Sequence, residues 1–245
     1  RMRKMHAQIH EQRNEIRLHN DHLIQEQEAA KNVFDNVAHA GCLDAPNIKK
    51  MLSPMAVFNG DVVLAARKPS GGMLVLMGDF TGHGLPAAIG AMPMAEIFYG
   101  MTGKGFSMMD ILREINQKLK RILPPSVFAC ACMMDINFRK KTAEVWLGGL
   151  PDCLLYRKTG EIELIKSQNL PLGVVDSSSL KEATDLLKME DGDRFFMWSD
   201  GVHEAGNPDG EMFGSERLYE VFRENEQVDA LFAEIHASVE AFVGT

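Results

Sequence analysis

No apolar run in the 245-residue chain approaches the roughly 20 residues that a membrane-spanning helix requires, so no transmembrane helix is expected. Nor is a secretory leader expected, because Arg1 to Lys31 is polar throughout. Cysteine is scarce: Cys42, Cys130, Cys132 and Cys153 form no CxxC pair and no zinc-ligand spacing. Buried reduced thiols and a cytoplasmic setting are the expectation, with Cys130 and Cys132 on one face of a strand. The chain also lacks a Cys-based phosphatase signature, a defensible Ser/His/Asp spacing and a nucleotide-binding glycine loop. Gly103-Lys104-Gly105 has none of the rest of a P-loop and reads as a turn between helices. Positive charge is short, with 26 Lys and Arg against 34 Asp and Glu and a net charge of −8. Residues 1–33 hold six basic and five acidic side chains, so the remainder carries −9. So acidic a body is a poor ligand for nucleic acid or an anionic membrane surface, whereas its carboxylates suit Mg²⁺ or Mn²⁺.

What is present divides into a helical segment over 1–38 and a globular body over 39–245. Up to residue 38 there is no glycine or proline, and Met2, Ile9, Ile16, Leu23 and Ala30 recur every seven residues. The companion positions, among them Gln12, His19 and Glu26, are mostly polar. That pattern predicts a weak coiled-coil seam, fit for a signalling linker that joins two copies in a homodimer; a helix lying on its own domain is the alternative. His6, His10, His19 and His22 share this helix, and solvated histidines explain them without a metal.

Strands are predicted near 48–57, 61–67 and 73–79, then at 127–137, 142–148, 153–158, 161–166, 184–189 and 194–198. Pro69-Ser70-Gly71-Gly72, Thr159-Gly160 and Asp191-Gly192 supply turns. A helix begins at Leu85 with Pro86 in its first turn and Pro93 as a bend, and another runs from an N-capping Ser107 to Leu123. Two more, about 215–224 and 228–242, close the chain. Strands, a helix pair, more strands and then helices describe an antiparallel α+β body rather than a βαβ repeat.

Three apolar strand ends terminate in a carboxylate: Val57-Phe58-Asn59-Gly60-Asp61, Val75-Leu76-Met77-Gly78-Asp79 and Phe195-Phe196-Met197-Trp198-Ser199-Asp200. A rigid sheet aims such side chains, and three of them on separate segments point to a divalent-cation site. Each Asp taken alone reads better as a turn or cap residue.

In order along the chain stand Gly78-Asp79-Phe80-Thr81-Gly82-His83-Gly84 with Ala87-Ala88, Leu147-Gly148-Gly149-Leu150-Pro151, Leu170-Pro171-Leu172-Gly173, and the block from Asp193 to Gly214 with Ser199-Asp200-Gly201 and Gly210-Glu211-Met212-Phe213-Gly214. Together these elements resemble the SpoIIE/RsbU-type branch of the PPM metal-dependent serine/threonine phosphatases. The resemblance spans roughly 44–241 and implies an α/β/β/α sandwich of two antiparallel sheets flanked by helices. It implies two Mn²⁺ or Mg²⁺ ions held by Asp61, Asp79, Asp200 and the Phe80 backbone carbonyl. His83 then either protonates the leaving group or ties the glycine loop. His203 and Glu211 read as rim and loop-anchoring residues.

The implied activity is hydrolysis of phosphoserine or phosphothreonine on a regulatory protein, such as a STAS-type anti-sigma-factor antagonist, by the output domain of a response regulator. Leu64 stands where the family's opening motif has a second Asp, and Leu150 where a His is common. The family's closing Asp motif and final strand are expected to lie beyond Thr245. The competing reading is a catalytically impaired phosphatase-like scaffold that dimerises and binds partners; a small-molecule phosphodiesterase fits the chemistry but not the motif order.

Overall fold

The computed structural model describes residues 12, 13, 16, 17, 19, 22, 41–51, 60–82, 85–224 and 230–244. Gln12, Arg13, Ile16, Arg17, His19 and His22 are helical and exposed; the heptad seam and the dimer expected from it otherwise lie outside the described residues. Of the strand expected over 48–57, the described part, 48–51, has no regular structure.

Among the described residues eight strands form two antiparallel sheets. The larger runs β1 (Asp61–Arg67), β2 (Met73–Phe80), β3 (Ala129–Asn137), β4 (Thr142–Gly148) and β7 (Asp185–Lys188) in spatial order. The smaller has β5 (Cys153–Tyr156) between β6 (Ile162–Ile165) and β8 (Arg194–Phe196). Helices α1 (Leu85–Gly103) and α2 (Met108–Ile122) follow β2, the short turn α3 (Asp200–His203) follows β8, and α4 (Gly214–Glu224) and α5 (Leu231–Val243) come last.

The period of two along each strand sorts the side chains into four buried clusters, three of which build the layers. Leu74 and Leu76 of β2, Met133 of β3 and Trp146 of β4 pack with Met94, Phe98, Ile111 and Ile115 of the helix pair. Alternate residues on the same strands, Met77, Cys132, Met134, Val145 and Leu147, meet Cys153 and Leu155 of the smaller sheet. Leu154 and Tyr156 face the other way, onto Phe213, Leu218, Phe222 and Leu231. These layers make an α+β sandwich, helix pair, sheet, sheet, helices, as an antiparallel pattern with both sheet faces covered requires. All four cysteines are free, and the Cys132 and Cys153 sulfurs lie 3.8 Å apart between the sheets.

Local chemistry sets the element ends. Ser107 accepts from the Asp110 amide at 3.2 Å and so caps α2. Pro93 sits inside one continuous α1 rather than dividing it. The Asp191-Gly192 turn does not close a hairpin within one sheet, because β7 belongs to the larger sheet and β8 to the smaller. It carries the chain across the sandwich, which delivers Asp200 to its place. No described helix is long and apolar enough to cross a membrane.

Candidate metal centre

The geometry starts from one hairpin. β1 begins at Asp61 and β2 ends at Phe80, so antiparallel pairing sets Asp61 directly opposite Asp79 at one rim of the larger sheet. On its other side Asp79 pairs with Cys130 of β3. Asp200 reaches this rim from the smaller sheet, at the start of the turn after β8. Asp200 stands close enough to Asp79 for its charge to raise that carboxyl, and Ser199, the residue before Asp200, donates through Oγ to Asp61 Oδ2 at 3.1 Å.

Like charges in a half-buried setting resist ionisation. Burial raises the Asp61 carboxyl above its ordinary value, Ser199 opposes the shift by hydrogen bonding, and the Asp200 charge adds to it. Asp79 is pushed up to about 7, first by burial and then by Asp61, Asp200 and Glu204. The neighbouring Cys130 thiol rises to about 11 through burial and the charges of Asp79 and Asp200.

Backbone oxygens complete the cluster. A Cβ added to Gly60 would lie 2.7 Å from the Phe80 carbonyl oxygen, 2.9 Å from that of Gly82 and 3.5 Å from Asp79 Oδ1. The bare Cα of Gly60 thus leaves room at a point on which three acceptors converge. Phe80 is pinned there: its amide donates to the Gly60 carbonyl at 3.0 Å, and its ring packs so close to Gly90 of α1 that a Cβ there would sit 2.3 Å from the ring. Thr81 fastens the next residue by exchanging backbone and side-chain hydrogen bonds with Phe128 at 3.0 and 3.1 Å.

This is a cluster rich in acceptors and poor in donors. Among the described residues Asp61 Oδ1 is buried without a hydrogen-bond partner, an orphan that a bound cation would satisfy. Hard carboxylate and carbonyl oxygens suit Mg²⁺ or Mn²⁺, which take few protein ligands and keep several waters. Among the described residues no three His, Cys, Asp or Glu side chains close into a ready cage. A site that uses carbonyls and water needs no such cage, and the donor set fits the ion.

Asp61, Asp79, Asp200 and the Phe80 carbonyl are therefore brought to one rim, while His83 lies outside the described residues. Leu64 is fully buried against the helix pair and Leu150 lies between the sheets, so neither side chain reaches the rim. His203 accepts a 3.0 Å hydrogen bond at Nε2 from Trp198 Nε1, and burial lowers its pKa against the pull of Asp200 and Glu204. Glu211 is exposed; its amide donates to Asn207 Oδ1 at 2.8 Å within its own loop. Gly60, Ser199 and Glu204 are the members the sequence reading did not single out. Gly60 and Ser199 each directly precede a chosen Asp, which is the one local signal they carried.

A model of the Stage II sporulation protein E (SpoIIE) family matches residues 69–244. Among curated proteins, the phosphoserine phosphatase RsbP of Bacillus subtilis (strain 168) is 22% identical over 135 residues, 54% of this chain and 32% of RsbP. The chain thus spans about a third of that relative's length. Among solved structures, the SiaA-PP2C domain of Pseudomonas aeruginosa superposes with a TM-score of 0.76 at 18% identity, covering 92% of each chain. RsbX, solved in complex with magnesium, gives 0.55 at 18% identity over 75% of this chain and 80% of its own. Both likenesses establish the PP2C-like fold.

Proposed function

Because the chain belongs to the Stage II sporulation protein E (SpoIIE) family, we propose that it hydrolyses phosphoserine or phosphothreonine on a protein partner with the help of divalent cations. The observation that carries this reading is the acceptor-rich rim: Asp61 opposite Asp79, Asp200 close enough to raise Asp79 through its charge, and an Asp61 Oδ1 with no partner among the described residues. Alone, such a cluster repels a phosphate dianion, so the acid groups are intelligible as cation ligands and not as a phosphate cradle.

In this reading Asp61, Asp79, Asp200 and the Phe80 carbonyl would hold two Mn²⁺ or Mg²⁺ ions. Such ions, when bound, supply Lewis acidity and lower the pKa of a water for attack on a phosphoester. The chain's own part is to place hard oxygens rigidly: β1 and β2 set two carboxylates by register, and α1 wedges Phe80 from behind. His83, three residues after Phe80 in the sequence, donates a proton to the leaving serine oxygen or ties the glycine-rich segment.

The finer proposals rest on the sequence. The partner is a phosphorylated regulatory protein, such as a STAS-type anti-sigma-factor antagonist, in a cytoplasmic signalling system. The 1–38 segment forms a homodimerising linker to a receiver domain, ahead of a phosphatase domain over 39–245. One observation favours the scaffold alternative. Leu64, at the position of the family's second Asp, is wholly buried among apolar side chains and supplies no oxygen.

Mn²⁺-dependent hydrolysis of a chromogenic aryl phosphate, measured beside Asp200→Asn, decides between the two. Activity that needs Mn²⁺ and falls at least about a hundred-fold in the variant supports the enzyme. A folded wild type that neither hydrolyses the ester nor binds Mn²⁺ by calorimetry establishes the scaffold.

A further inference from the structure

We propose that Ser199 is a positioning residue for the metal centre: its hydroxyl holds one oxygen of Asp61 so that the other is presented to a divalent cation. The inference rests on the metal-dependent reading above.

Ser199 occupies the N-cap position of α3, where a serine ordinarily accepts a hydrogen bond from the helix's own first amides. Here its side chain makes no such bond. It is turned instead to Asp61 Oδ2, 3.1 Å away and 138 residues distant in sequence. The residue is only 6% exposed, so the bond is shielded from competing water.

The two oxygens of Asp61 are consequently unlike. Oδ2 has a donor, whereas Oδ1 is buried with no partner among the described residues. A hydroxyl suits this task chemically: it offers one proton and no charge, so it fixes the carboxylate plane without neutralising it. An Arg or Lys in its place would pair with the carboxylate and compete with the cation.

The turn that carries the hydroxyl is itself held. Trp198 Nε1 donates to His203 Nε2 at 3.0 Å, bracketing residues 198–203, and the Glu204 amide donates to the Asp200 carbonyl at 2.9 Å. Since Asp200 is the next residue, the single Ser199–Asp61 bond ties together the two chain segments, one from each sheet, that bring their carboxylates to the rim. Its loss frees the Asp61 side chain to rotate and loosens the spacing between the sheets' contributions.

The test is Mn²⁺ binding to the full chain by isothermal titration calorimetry, with kcat and the half-saturating Mn²⁺ concentration measured separately. Ser199→Ala is expected to weaken Mn²⁺ binding about 10- to 100-fold, with most of kcat recovered at saturating Mn²⁺. Ser199→Thr, which keeps the hydroxyl, is expected to stay within about threefold of wild type. Ser199→Cys, near serine in volume but a weak donor, separates lost bonding from lost packing and should resemble Ala. Wild-type affinity in Ser199→Ala or Ser199→Cys overturns the inference, as does a loss in Ser199→Thr as large as in Ala. A wild type that binds no Mn²⁺ overturns the metal reading first, before any variant is made, so the two failures are distinguishable.

Discussion

Replacing Asp79 by Asn should stabilise the metal-free protein at pH 8 while it abolishes metal binding. Asp79 sits half-buried between Asp61 and Asp200, and its carboxyl is pushed from 3.8 to about 7. A folded-state value above the unfolded one means that the native protein holds a proton the unfolded chain has released. Stability contributed by the neutral acid is therefore present at low pH, is lost as pH rises from about 4 to about 7, and stays lost above that.

The full shift would correspond to roughly 4 kcal/mol at about 1.4 kcal/mol per unit. Asp79 remains partly open to solvent, which screens the repulsion and reduces this to about 1–2 kcal/mol. Asn has the same shape and no charge, so in EDTA at pH 8 the variant's Tm should exceed wild type by about 2–8 °C. At pH 5 the gap should be smaller than at pH 8, because native wild type then holds more of its proton. Saturating Mn²⁺ should invert the order, since only wild type gains binding free energy. Circular-dichroism melts at both pH values, with and without Mn²⁺, test this. A metal-free variant no more stable than wild type at pH 8, or a gap independent of pH, refutes the account of the rim as a cluster of repelling acids.

Gly60→Ala should lose Mn²⁺ binding, because its methyl would stand 2.7 and 2.9 Å from the Phe80 and Gly82 carbonyl oxygens; a calorimetric titration matching wild type would refute this. Asn116 is fully buried, accepts from the Gly173 amide at 2.8 Å and donates to the Val175 carbonyl at 3.0 Å. Asn116→Ala orphans both groups and should cost about 2–4 kcal/mol by urea unfolding, and a change within about 0.5 kcal/mol would contradict the loop anchor. Mn²⁺ binding by wild type should release protons near pH 6.5, below the value to which Asp79 is raised, and release should fade by pH 8.5. Titrations in buffers of differing ionisation enthalpy read the proton count, and equal release at both pH values would contradict it.

Much of the sandwich was legible because its code is local. Alternation along β2, Leu74 and Leu76 against Val75 and Met77, assigns opposite faces before any partner is known. Ser107 marks a helix start through a bond three residues long. The short connection between β1 and β2 predicts a hairpin, and its register then places Asp61 against Asp79. Other features were not legible. Nothing in Asp191-Gly192 tells a hairpin turn from one that changes sheet, because both need the same backbone and differ only in what lies beyond.

The sequence by itself determined the alternating strands, the capped helices and the acidic ends of three sheet segments, all of them consequences of neighbours a few residues apart. Tertiary structure alone decided that Asp200 should arrive from the second sheet beside Asp79, where its charge raises that carboxyl. It also decided that Ser199 should leave its own helix uncapped in favour of Asp61, 138 residues away. The physical reason is that a side chain's choice between a local and a distant partner depends on burial and charge, which exist only once the sheets have packed.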